Sequence, residues 1–127
     1  MITAATTVVM LHPSLIDHFQ HPRNVGELDQ PAVVVEVSNP VCGDILRLSA
    51  RFDAGRVAEA AFQTRGCTAS IACGSALTEL ILGKSREELK LLRAVDVEAA
   101  VGELSNESKH AAVLCIDAVK KLAATSL

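Results

Sequence analysis

The sequence predicts an α+β fold, a three-stranded antiparallel sheet with helices packed on one face, and two observations carry that expectation. Leu46, Leu48, Ala50 and Phe52 alternate with Arg47, Ser49 and Arg51, the period of a strand with one wet face. Past Gly66 the period lengthens, so that Ile71, Ser75, Thr78 and Leu82 fall on one helical stripe with Ala69, Ala72, Ala76 and Leu80 beside it. Strands gathered first and helices afterwards belong to the α+β class.

In chain order, Met1–Leu11 shows neither polar periodicity nor turn chemistry and is expected to be a loose extension. Pro13 suits the first position of a short helix over Ser14 to Gln20, with Leu15, Ile16 and Phe19 on its inner face. His21-Pro22 ends it, because a residue before proline avoids the helical region, and Asn24-Val25-Gly26 turns the chain. Ala32 to Val37 reads as the first strand. The alternating stretch and its return, Arg56 to Gln63, are the second and third, joined by the hairpin turn Asp53-Ala54-Gly55. A long helix over Ser70 to Leu82 stops at Gly83, and Ser85 with Glu88 has capping-box spacing for a short helix through Arg93. Asp96 caps another short helix through Val101. The last helix starts near Ser105 to Ser108 and is expected to turn Val113, Leu114, Ala118 and Leu122 toward the core.

With 127 residues and no linker or internal repeat, residues 1–127 read as one domain, long enough to bury a core without staples. Hydrophobic residues make up 50% of the chain and aromatic ones 2%, so Ala, Val, Leu and Ile must fill that core. Few stacking platforms and a net charge of -3 argue against nucleic acid as a partner. No stretch has the roughly 20 apolar residues of a membrane span. The first ten residues lack the Lys or Arg of a secretory leader, which points to the cytoplasm, where scattered cysteines serve metal binding or catalysis more often than bridges.

Three patches carry metal-ligating side chains. Asn39-Pro40-Val41-Cys42-Gly43-Asp44 places a thiol and a carboxylate around a glycine, in a turn that aims both at one point. Cys67, in Gly66-Cys67-Thr68-Ala69-Ser70, sits where a strand hands over to a helix, and unpaired amides there favour an anion. His110, after Ser108-Lys109, opens the last helix. Cys42, Asp44, Cys67 and His110 are thus four ligands of the types that borderline and soft metals select. Cys73 and Cys115 lie within helical patterns and read as buried thiols. Arg65 and Lys109 flank proposed ligands, where cations would offset a net negative site.

These patches, together with Asp17-His18-Phe19 and His21-Pro22-Arg23-Asn24-Val25-Gly26, resemble the IscU/NifU-like family of iron-sulfur cluster assembly scaffold proteins. The similarity runs from about Leu15 to Lys121, and its most specific blocks are Pro40-Val41-Cys42-Gly43-Asp44 and Gly66 to Ala72 with Ser75, Thr78, Glu79 and Gly83-Lys84. The resemblance implies a scaffold or carrier rather than an enzyme. It would accept sulfur from a cysteine desulfurase, bind iron, hold a transient 2Fe-2S cluster and pass it to apo acceptor proteins. By position, Cys42 and Cys67 match the first two cluster cysteines, Asp44 the aspartate that tunes release, and His110 the histidine before the third cysteine. That third cysteine is absent, because Ala111 follows His110, and Cys73 and Cys115 are the candidate substitutes. Leu104-Ser105-Asn106-Glu107-Ser108 replaces the segment read by the dedicated Hsp70-type chaperone, so that partner is not expected. A homo-oligomer stays open. Two alternatives use the same four ligands: a Zn²⁺ site acting in sulfur relay, and a metal-stabilised paralogue that assembles nothing.

Overall fold

Alternating apolar residues build a sheet whose inner face is the floor of the core. The structure, a computed structural model, describes residues 12–41 and 43–125; the expected extension Met1–Leu11 lies outside them, as does Cys42. Strands β1 (Val33–Ser38), β2 (Ile45–Asp53) and β3 (Arg56–Arg65) form a three-stranded sheet in the order β1-β2-β3, every pair antiparallel. Val35, Leu48 and Phe62 lie in one row across it. The β2–β3 hairpin turns on Ala54 and Gly55, both at positive φ (52° and 80°), the backbone that a two-residue turn between twisted strands requires.

Helices α1 (Pro13–Gln20), α2 (Thr68–Leu80), α3 (Arg86–Lys90), α4 (Ala94–Ala100) and α5 (Lys109–Ala124) complete the described elements, with a 3₁₀ turn at Asn106–Ser108. α2 packs on β3, and α5 on β1 and β2. The α2 contact is close because Gly74 has no side chain: a Cβ there would lie 2.6 Å from the Phe62 ring. Leu46, Leu48, Ala50 and Phe62 meet Ala72, Cys73, Leu77, Ala118 and Leu122 in a single core. Among the described residues no helix is long and apolar enough to cross a membrane.

Several expectations change in detail. The outer face of β2 is not simply wet, because residues 27–31 run across it. Leu28 donates its amide to Ser49 Oγ at 3.1 Å, Arg51 donates to the carbonyls of Asp29 and Pro31, and Arg47 pairs with Glu27 and Glu36. In α1, His18 is buried while Phe19 is 39% exposed, since a polar partner on α2 outweighs the aromatic's hydrophobicity. α2 begins at Thr68 and ends at Leu80, and it is buried on nearly every side. Leu82 lies past its end and is exposed. α3 stops at Lys90 rather than Arg93, although its Ser85–Glu88 capping box forms. Asp96 lies in the first turn of α4, not before it, and accepts the Arg93 amide at 2.8 Å. α5 begins at Lys109, and Val113 is 51% exposed, because it falls on the Lys109–Asp117 side of the helix while Leu114, Ala118 and Leu122 face the sheet.

Candidate metal centre

Three elements that are distant in sequence end at one rim of the sheet. The first is the loop before β2, which closes on itself: Asn39 donates its amide to the Asp44 carbonyl at 2.8 Å, and Gly43 donates to the Asn39 carbonyl at 2.7 Å. Gly43 takes φ +79°, a left-handed backbone that a side chain would strain. The second is the β3–α2 junction, where Cys67 is the residue before the helix, extended and exposed. The third is the first turn of α5, which carries His110.

Their side chains converge. His110 Nε2 is 3.3 Å from Asp44 Oδ2, and Cys67 Sγ is 3.9 Å from the same oxygen. The ligand atoms of Asp44, Cys67 and His110 all lie within 4.8 Å of one another. Asp44 is only 7% exposed, while Cys67 opens to solvent, so the cluster has an anchored carboxylate and an accessible thiol. Thiol, carboxylate and imidazole are three donor types that zinc and iron both accept.

Two neighbours shape the carboxylate, and the sequence reading treats them only as flanks of Cys67. Ser70, 4% exposed, donates its hydroxyl to Asp44 Oδ2 at 2.5 Å and lies 3.5 Å from Cys67 Sγ. Gly66 backs the same group: a Cβ there would fall 2.8 Å from Asp44 Cγ. The signal for Ser70 is its i+3 position from Cys67, which puts it over the same side of the helix start.

Of the remaining sequence candidates, those among the described residues stand outside this cluster. Cys42 lies outside the described residues. Cys73 and Cys115 are free thiols in the core. Burial pushes the Cys73 thiol up to about 12, and nearby Cys67 and Glu98 add to it. Burial holds Cys115 well above the ordinary thiol range, with Cys73 adding to the effect. Ala111, beside His110, is buried as well. Lys109 spends its charge on Glu98, 2.8 Å away, and Arg65 is exposed.

A second polar cluster lies along α2, and the sequence reading assigns it no role. Ser75 Oγ is 2.8 Å from His18 Nδ1 and accepts the Arg23 amide at 2.9 Å. One turn on, Thr78 Oγ1 accepts from Asn24 Nδ2 at 3.0 Å and donates to the Ser75 carbonyl at 2.7 Å. Asn24 and Gly26 then bracket Phe62 at the free edge of β3 through backbone bonds of 2.9 and 2.8 Å. Burial, and secondly the Arg23 guanidinium, hold His18 below its ordinary imidazole value, against the opposing charges of Glu79 and Asp17. The Asp17-to-Gly26 motif is therefore a clasp that ties α1 and the following loop to α2.

The fold has counterparts. The chain matches the NifU-like N terminal domain family over residues 10–125. It is 38% identical over 112 residues to the iron-sulfur cluster assembly scaffold protein IscU 1 of Archaeoglobus fulgidus, covering 88% of this chain and 73% of that protein. It is 36% identical over 110 residues to the iron-sulfur cluster assembly scaffold protein IscU of Escherichia coli K12, covering 84% and 85%. Among solved structures, the N-terminal part of a nitrogen-fixing NifU-like protein from Brucella abortus aligns with TM-score 0.69 over 87% of this chain and 89% of that one, at 16% identity. A putative iron-sulfur cluster assembly scaffold protein for the SUF system from Fervidobacterium islandicum AW-1 aligns with TM-score 0.64 over 91% and 94%, at 20% identity. At these identities the two structural matches speak for the fold alone.

Proposed function

We propose, for a chain that belongs to the NifU-like N-terminal domain family, that it is an iron-sulfur cluster assembly scaffold, which binds iron and a transient 2Fe-2S cluster as cargo and releases it to apo acceptor proteins. The observation that carries this reading is the meeting of Asp44, Cys67 and His110 within 4.8 Å at a solvent-facing rim. Relatives named as scaffolds at 36 to 38% identity support it. Cys42, two residues before Asp44 in the sequence, is the fourth ligand of the proposal. Carboxylate and imidazole hold a cluster less firmly than four thiolates, which suits cargo that must leave.

Sulfur arrives from a cysteine desulfurase. In that step the Cys67 thiolate attacks the terminal sulfur of the desulfurase persulfide, a new S–S bond forms on Cys67, and the desulfurase cysteine leaves as a thiolate. Cys67 suits the step because it is exposed, whereas Cys73 and Cys115 are buried thiols whose reactive form is strongly disfavoured. On this reading the two core cysteines, both buried, are not the substitutes for the thiol missing at position 111. Turnover is not part of this role, and the chain acts as carrier rather than enzyme.

Anaerobic incubation with ferric iron and sulfide, the oxidation states of the oxidised cluster, tests the reading. We expect the visible absorption of a 2Fe-2S cluster, lost in Cys67→Ala, and activation of an apo-ferredoxin by the loaded protein. Absence of cluster absorption in the unaltered chain overturns the scaffold assignment.

A second reading has one specific observation behind it. Donors around a single tetrahedral ion lie about 3.3 to 3.8 Å apart, given bonds of about 2.0 to 2.3 Å. The spacings of 3.3 and 3.9 Å about Asp44 Oδ2 fall close to that range. The arrangement thus suits one Zn²⁺ or Fe²⁺ ion, as a zinc-dependent sulfur acceptor would hold. Metal analysis after oxygen-free purification separates the two: zinc with desulfurase stimulation and no cluster favours the relay.

A further inference from the structure

Asp44 Oδ2 is the atom on which the cluster turns, since His110, Cys67 and Ser70 all approach it. A carboxylate on a loop can rotate, and a rotated one would be lost as a ligand. Two features on the β3–α2 junction prevent this. Ser70 grips one oxygen at 2.5 Å from a buried position, and that oxygen keeps a second lone pair for an ion. Gly66 leaves the space in which the carboxylate lies, and any Cβ would come within 2.8 to 3.0 Å of three of its atoms.

From this geometry we infer that Gly66 and Ser70 are positioning residues which fix the Asp44 carboxylate as a metal ligand. The inference rests on the ligand reading given above and adds how that ligand is held. Neither residue touches the ion. Both act through one carboxylate, so their effects on metal binding must vanish when the carboxylate is removed. The same segment also supplies Cys67, so a single short junction presents one ligand and orients another. Ser70 suits the task because it is fixed in the first turn of a buried helix and has no conformational freedom to lose on gripping the carboxylate.

The test is a titration of the intact chain with Co²⁺ under argon, read by the thiolate-to-cobalt absorption. Ser70→Ala and Gly66→Ala are each made in the native background and with Asp44→Ala. Groups that orient a metal ligand contribute about 10- to 100-fold to affinity, and we expect each variant to lose that much when Asp44 is present. With Asp44→Ala already in place the further loss should fall to about twofold or less, the size of independent effects. Gly66 is exposed and its backbone is not left-handed, so Gly66→Ala probes the carboxylate even if Ser70→Ala disturbs the core. Unchanged affinity in both single variants, or equal losses in both backgrounds, overturns the inference while leaving the ligand set standing. Failure of the unaltered chain to bind Co²⁺ at all overturns both.

Discussion

The two ends of α2 carry polar clusters that share a histidine and a helix serine and come to different ends. Around Ser75 and Thr78, a histidine on α1 and an arginine amide and an asparagine from the loop after it are matched to hydroxyls on the helix, with both hydroxyl residues and the histidine buried. Around Cys67 and Ser70, a histidine, a carboxylate and a thiol also converge on the helix, but they gather ligand atoms around one point at an open rim. The first cluster uses its polar groups up, and buried polar groups that are fully paired fasten a fold. The second gathers a carboxylate, a thiol and an imidazole at one oxygen, through a short bond from Ser70 and longer approaches from Cys67 and His110 that an ion could replace. An exposed thiol beside the carboxylate and imidazole distinguishes the site from the clasp.

That contrast can be broken most sharply at Cys67. Cys67→Ala should abolish cluster and Co²⁺ binding while leaving the melting temperature of the metal-free protein close to the original, because an exposed thiol adds little to packing. A large fall in melting temperature would mean that the rim is structural after all. Ser75→Ala should do the reverse. It strands the Arg23 amide and leaves His18 Nδ1 with only the Arg23 guanidinium, so denaturant unfolding should show a loss of about 1 to 3 kcal/mol, with Co²⁺ affinity unaltered.

Acid sharpens the same distinction. His18 is held below its ordinary value of 6.5, so the folded chain keeps it neutral where the unfolded chain takes up a proton. Stability should therefore fall as pH drops below about 6.5 and stop responding to this group once pH passes below its lowered folded value. Melting curves between neutral and mildly acid pH should flatten in His18→Gln, and an unchanged slope would remove His18 from the clasp's energetics. The smallest effect is expected at Val113. Its exposure predicts that Val113→Ser shifts unfolding by no more than about 0.5 kcal/mol, whereas the same change at buried Val119 should be far costlier.

The fold was legible to a large extent because the features that specify it are local. The alternation through β2, the Ala54–Gly55 turn and the Ser85–Glu88 capping box are short-range patterns, and each appears where the residues predict it. The structure departs from the local pattern where a long-range partner decides the matter. Phe19 lost its place inside to His18 because Ser75 waits on another helix, and Ser49 is buried because residues 27–31 cross over it. Val113 departs for a different reason: in a helix buried over most of its circumference, one apolar residue on the wet side does not disturb the pattern.

Donor chemistry and the order of the patches were set by the sequence alone: a carboxylate after Gly43, a thiol at a strand-to-helix junction, an imidazole at the last helix. Whether these donors meet was decided by tertiary structure, since α2 and α5 must lie on the same sheet face with their first turns beside the loop that begins β2. Which neighbours hold the carboxylate was decided there too, because Ser70 and Gly66 reach Asp44 through space. Backbone preferences act over a few residues and can be read along a chain, whereas the approach of side chains from three elements depends on how the core packs.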